Sequence, residues 1–224
     1  YSGHGKSAWL NFVMLHLMKH EKTMIASFEM LPKATLGRMG QQTGEANPNY
    51  EYIKDFLGQL EHKLYLYDSA GETSSAKVLE LIYYAAEKLN VKLMVIDSLM
   101  KCGINEDDLN GQKAFANKVA VAARDLGIHI FLVAHSRKTA DEHGRASKFD
   151  VAGSANLTNL VDNVFSVHRN KAREEEALNS GLNSEIMNQP PCTVYLLKQR
   201  HGRGVETKWG FGYVPETFQY KESY

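Results

Sequence analysis

The residues with the most chemical potential crowd the start of the chain. Ser2-Gly3-His4-Gly5-Lys6-Ser7 is the end of the pattern GxxxxGK[ST], whose first glycine would lie one residue before Tyr1. Gly3 and Gly5 allow successive backbone N–H groups to turn into one concavity, and that concavity suits phosphate oxygens. A helix beginning near Lys6 adds its positive N-terminal end to the same site. Lys6 supplies a cation for β- and γ-phosphates, and the Ser7 hydroxyl is placed to ligate Mg²⁺. The site so drawn runs from Ser2 through Gly3, His4, Gly5, Lys6 and Ser7 to Ala8, and it calls for ATP or another NTP with Mg²⁺. A glycine-rich turn before a helix is the competing reading.

Five further residues could work with such a loop. Asp97 closes the apolar run Leu93-Met94-Val95-Ile96, so a carboxylate stands at a strand end, where it can hold the Mg²⁺ shell or simply cap the following turn. Glu29 ends an earlier apolar run and is the candidate to deprotonate or orient an attacking water; its alternative is a helix-start acid before Pro32. His135 follows a third apolar run and is placed to contact a γ-phosphate, although one of nine histidines carries little weight by itself. Lys198-Gln199-Arg200 puts two cations on one face of a strand, either as a solvated hairpin face or as an arginine finger reaching a neighbouring subunit.

These groups need a frame, and the apolar spacing supplies one. Helical periodicity is read over 6–20, 33–42, 50–60, 74–89 and 109–126, the last stopped by Gly127. Strands are read over 24–28, 64–67, 91–96, 128–134 and 161–168. The segment 135–149 is a polar loop too long to be a mere connector, and 170–190 reads as a mobile loop. Residues 193–197 and 207–211 form a closing hairpin. Strands alternating with helices predict an α/β fold with a mostly parallel, helix-covered sheet and a C-terminal β-hairpin, as one domain over 1–224.

Composition narrows the class. With 43% apolar and 23% charged residues, the chain matches an ordinary globular protein and argues against disorder or a coiled coil. Its apolar stretches are far short of the ~20 residues that span a bilayer, so no membrane association is expected. Two cysteines, Cys102 and Cys192, give neither a disulfide framework nor zinc-ligand spacing, which suits a reducing, intracellular setting. Lys and Arg together number 26, as do Asp and Glu, and this balance excludes a globally basic DNA coater but not a locally charged nucleic-acid channel. Because it starts without methionine and directly in a motif, the chain is read as a piece of a longer polypeptide.

Taken in order, Gly3-His4-Gly5-Lys6-Ser7, Ser27-Phe28-Glu29-Met30, Leu66-Tyr67-Asp68-Ser69, Val95-Ile96-Asp97-Ser98, Ala134-His135-Ser136, Asp150-Val151-Ala152-Gly153-Ser154 and Lys198-Gln199-Arg200 resemble the RecA-like motor domain of hexameric replicative helicases. The family includes bacterial DnaB, the phage primase–helicases and mitochondrial Twinkle, and the chain is most similar to the phage and Twinkle branch. The resemblance implies a RecA-like P-loop NTPase core in which Glu29 is the catalytic base, Asp97 the metal-shell acid and His135 the phosphate sensor. It casts Lys198 and Arg200 as cations reaching a neighbour's ATP, and Tyr213 as an aromatic stacked on the nucleotide base. It further implies a homo-oligomeric, six-membered ring on single-stranded DNA, a primase domain or protein upstream, and a bacterial or phage-infected cytoplasm rather than a mitochondrial matrix. Ala152 stands where the phage branch carries a DNA-contacting arginine. DNA contacts are therefore expected from the backbone at Gly153 and Ser154 and from Arg137, Lys138, Arg145 and Lys148, repeated around a pore. The expected function is an NTP-driven DNA helicase; the alternative is a RecA- or KaiC-like ATP-switched protein that does not unwind DNA.

Overall fold

The computed structural model describes residues 5–69, 73–105, 107–135, 155–179, 185–202 and 207–222. Its first half is an alternation of helices and strands: α1 (Lys6–Leu17), β1 (Thr23–Ser27), α2 (Pro32–Gln42), α3 (Tyr50–Leu60), β2 (Leu64–Leu66), α4 (Ser75–Leu89), β3 (Leu93–Asp97), α5 (Leu109–Leu126) and β4 (His129–Leu132). The four strands form a parallel sheet in the order β2-β1-β3-β4.

Helix ends follow local chemistry. The Ser74 side chain accepts a hydrogen bond from the Lys77 N–H at the start of α4, and Asp108 accepts one from the Gly111 N–H at the start of α5. Asn90 and Gly127 close the same two helices in left-handed conformations, which release the chain into β3 and β4.

The period-two geometry of the strands divides the core. Met24, Ala26, Met94 and Ile96 join Val78, Ile82, Phe115 and Val119 of α4 and α5 on one face. Ile25 and Val95 join Met14, Met39 and Phe56 of α1, α2 and α3 on the other. β1 is buried along its whole length, as expected of a central strand covered on both faces.

The second half differs from the sequence expectation in two places. α6 (Ala155–Leu160) leads into β5 (Asn163–Arg169), followed by α7 (Lys171–Leu178), β6 (Cys192–Gln199), β7 (Thr207–Val214) and β8 (Gln219–Glu222). β5 does not extend the parallel sheet. It pairs antiparallel with β6, and the closing hairpin grows into a four-stranded antiparallel sheet in the order β5-β6-β7-β8. β4 and β5 instead line a cleft of about 630 Å³ whose lining includes Lys6 and His135. The second difference is α7, which stands in the segment read as a mobile loop. Its Lys-Ala-Arg-Glu-Glu-Glu-Ala-Leu sequence consists of strong helix formers, Asn170 caps its N-terminus through the Arg173 N–H, and Arg169 forks onto Glu174. High polarity there marks an exposed helix, not an absence of structure.

Candidate functional site

The parallel pairing of β1 and β3 sets Ser27 beside Asp97, so both strands deliver their next residues to one edge of the sheet. Ligands of open α/β sheets gather at this carboxyl edge. α1 starts at the same edge. Gly5 caps it with φ 79°, a left-handed value that favours glycine, and its carbonyl accepts the first helical hydrogen bond from the Trp9 N–H at 2.8 Å.

The candidate residues then fall into two hydrogen-bonded groups. Ser7 Oγ donates to Asp97 Oδ2 at 2.6 Å. Ser98 Oγ donates to Glu29 Oε1 at 2.8 Å, and His135 Nε2 lies 3.2 Å from the same oxygen. Glu29 Oε1 is thus engaged by residues from β3 and β4 ends, and Glu29 is held in position across the strands.

Electrostatics tie the groups together. Burial pushes the Lys6 ammonium pKa down, more than the charges of Asp97 and Glu29 raise it. Burial lifts the Asp97 carboxyl above its usual range, and the Glu29 charge adds to that, against the Ser7 hydrogen bond and the Lys6 charge. Glu29 moves the other way. Burial raises it, but hydrogen bonds from Ser98 and His135, with the His135 and Lys6 charges, carry it below the usual carboxylate range. Glu29 is therefore ionised at neutral pH, while burial leaves the Asp97 carboxylate poorly solvated. A hydroxyl and a carboxylate in contact, next to a lysine, are the oxygen donors that suit Mg²⁺ beside phosphate. The residues present fit the metal and nucleotide that the sequence implies.

Ser98 was not among the candidates. It is fully buried, and its role depends on the strand register that brings β3 beside Glu29. The only sequence signal was a hydroxyl residue immediately after the strand-end aspartate.

Tyr213, on β7, is about one-third exposed, and its ring centroid lies 5.3 Å from that of Tyr220. Tyr220 in turn reaches the Gly5 carbonyl, so the aromatic candidate and the start of α1 share a neighbour. Ala8 sits in the first turn of α1, with its carbonyl accepting from Gln42 Nε2 at 2.8 Å.

Lys198 and Arg200 do share a direction, but that direction is inward to their own chain. Lys198 Nζ donates to the carbonyls of Thr158 and Val161 at 2.7 Å each and of Asn159 at 3.2 Å. Arg200 donates to the Asn159 carbonyl at 2.6 Å and to Asp162 Oδ1 at 2.9 Å. Within this chain, then, both cations are engaged by the end of α6. The end of α6 presents carbonyls without partners inside the helix, together with the negative end of its dipole, and both attract nearby cations. Ser2, Gly3 and His4 of the phosphate loop lie outside the described residues, as do Arg137, Lys138, Arg145, Lys148, Gly153 and Ser154 of the expected DNA surface.

A glycine-capped Lys-Ser helix start, hydrogen-bonded to a strand-end aspartate beneath the carboxyl edge of a β2-β1-β3-β4 parallel sheet, defines a P-loop NTPase core of the RecA-like type. A family model described as an AAA domain matches residues 4–141, and the chain belongs to that family. Two solved structures share the fold. One is a DnaB-like replicative helicase studied with its interactions with primase, similar with a TM-score of 0.79 at 14% identity over 100% of this chain and 57% of that one. The other is the ATPase domain of G40P, with a TM-score of 0.80 at 14% identity over 100% of this chain and 82% of that one. The chain thus spans little more than half the length of the DnaB-like helicase. No curated protein matches it. No helix among the described residues is long and apolar enough to cross a membrane.

Proposed function

We propose that residues 1–224 form one motor domain of a ring-shaped DNA helicase, which hydrolyses ATP or another NTP between protomers and moves on single-stranded DNA. The observation that carries the reading is the convergence of Ser7, Asp97, Lys6, Glu29, Ser98 and His135 at one sheet edge, with Ser7 Oγ 2.6 Å from Asp97. Ser2 to Ala8 would wrap the phosphates, and Ser7 with Asp97 would hold Mg²⁺, which supplies charge neutralisation at the phosphates. Lys6 adds a cation to the same oxygens. Glu29, ionised and fixed on one side by Ser98, accepts the proton of the attacking water or orients it. His135, bonded to Glu29, links the γ-phosphate position to the base. Tyr213 offers an aromatic face for the nucleotide base. Arg200 and Lys198 act on the neighbour's site after release from α6, and Arg137, Lys138, Arg145, Lys148, Gly153 and Ser154 contact the DNA backbone. A primase domain or protein upstream and an intracellular setting complete the reading, supported by the DnaB-like fold.

The test pairs ATP hydrolysis, with and without single-stranded DNA, with strand separation of a forked duplex. DNA-stimulated hydrolysis and unwinding, both lost in Lys6→Ala, are expected. Hydrolysis without unwinding would favour the ATP-switched alternative, and hydrolysis that survives Lys6→Ala would overturn the phosphate-loop assignment.

A further inference from the structure

The last strand of the chain reaches back to the start of α1. Tyr220 of β8 is 6% exposed, and its hydroxyl donates to the Gly5 carbonyl at 3.3 Å. The approach is close enough that a Cβ on Gly5 would meet the phenol oxygen at 2.9 Å. The ring is held among aromatics, with centroids 5.7 Å from Phe12 of α1, 6.2 Å from Phe211 and 5.3 Å from Tyr213. A buried hydroxyl needs a partner, and packing alone would be served by phenylalanine.

A second contact of the same kind lies alongside. Gln42, at the end of α2 and 3% exposed, donates from Nε2 to the Ala8 carbonyl at 2.8 Å and to the Phe218 carbonyl at 3.1 Å. Gln219 Nε2 returns a bond to the Gln42 carbonyl at 3.1 Å. Gln42 Oε1 has no partner among the described residues, so the amide is oriented entirely by what its nitrogen donates to. Both devices join the turn and strand at 217–222 to the first turn of α1, one at residue 5 and one at residue 8.

We propose that Tyr220 and Gln42 are positioning residues for nucleotide binding, a latch by which the C-terminal antiparallel sheet fixes the backbone that presents Lys6 and Ser7 to phosphate. The inference rests on the reading of Gly5-Lys6-Ser7 as a phosphate loop. The phosphate-binding atoms there are backbone N–H groups and two side chains on the first turn of a helix, so their placement depends on where that turn is held. The latch touches neither metal ligand nor reacting atoms. It positions groups that hold phosphate in substrate and transition state alike, so its loss appears in KM and not in kcat.

The experiment uses the whole chain and two readouts. In the ligand-free protein, hydrogen exchange is followed by mass spectrometry in peptides covering residues 5–12. Tyr220→Phe, which keeps the ring, should speed exchange there by about three- to tenfold, in line with loss of one buried hydrogen bond. Gln42→Met, which keeps length and removes both donors, should act in the same direction, while Tyr84→Phe on exposed α4 should not. With MgATP, Tyr220→Phe should raise KM by about three- to tenfold and leave kcat within about twofold. Unchanged exchange in both latch variants overturns the latch whether or not the protein binds nucleotide. Faster exchange with an unchanged KM overturns its role in nucleotide binding. A wild-type chain that binds no MgATP overturns the NTPase reading instead, and the exchange data still decide the latch.

Discussion

At the scale of single residues, the most consequential geometry is the sharing of Glu29 Oε1 between Ser98 and His135. Glu29→Gln keeps the shape and removes the base, so nucleotide binding should persist while turnover falls by about two orders of magnitude or more. Ser98→Ala should reduce kcat by about tenfold with nucleotide affinity retained, since it frees a hydrogen-bonded carboxylate without removing it. Stopped-assay kcat values alongside equilibrium nucleotide titrations separate the two effects; equal losses in affinity would contradict both. Lys6, Ser7 and Asp97 were legible in the sequence because a phosphate loop is contiguous and a strand-end acid is read from its own run. Ser98 was not, because its partner is 69 positions away and only the parallel register of β1 and β3 reveals it. Glu29 stood between these cases, visible as a strand-end acid but indistinguishable from a helix-start acid until Ser98 and His135 were seen on its oxygen.

At the scale of elements, α4 shows how a packed face was legible from periodicity. Ile82 is fully buried between the sheet and α5, whereas Tyr84, two positions on, is more than half exposed. Ile82→Ala should cost about 2–5 kcal/mol in a denaturant titration, and Tyr84→Ala should stay within about 0.5 kcal/mol. The antiparallel sheet was less legible. Alternation identifies strands but not the sheet they join: 161–168 read as a strand, and only its hydrogen bonds to β6 show which sheet it belongs to. This sheet also holds His168, whose pKa burial lowers. The folded protein then binds fewer protons at that site than the unfolded chain. Its contribution to stability is full above the ordinary histidine value of about 6.5 and is lost as pH falls below it. Thermal melts between pH 8 and 5.5 should show a shallower decline for His168→Asn than for the wild type, and parallel curves would contradict this assignment.

At the scale of the whole molecule, the inward grip of Lys198 and Arg200 on the end of α6 gives the proposed ring a condition. In one protomer these cations are occupied by Thr158, Asn159, Val161 and Asp162, so action on a neighbour requires an exchange of partners. Arg200→Ala should bind ATP nearly normally and lose hydrolysis by a factor on the order of 10³. Mixing Arg200→Ala with Glu29→Gln protomers should restore part of the activity, because some interfaces then pair an intact Glu29 with a neighbour's intact Arg200. A loss that came only from a broken α6 contact would persist in verified mixed rings. The contact between Gly5 and Tyr220 has another consequence, which belongs to biosynthesis. Its partners are 215 residues apart in sequence. At a ribosomal rate of about 5–20 residues per second, the Gly5 carbonyl waits on the order of 10–40 s before Tyr220 is even polymerised. On this wiring a nascent chain carries α1 and its lysine early but cannot set the phosphate loop until its closing strand emerges, so a translation arrest before residue 219 leaves a core that can fold around an unlatched site.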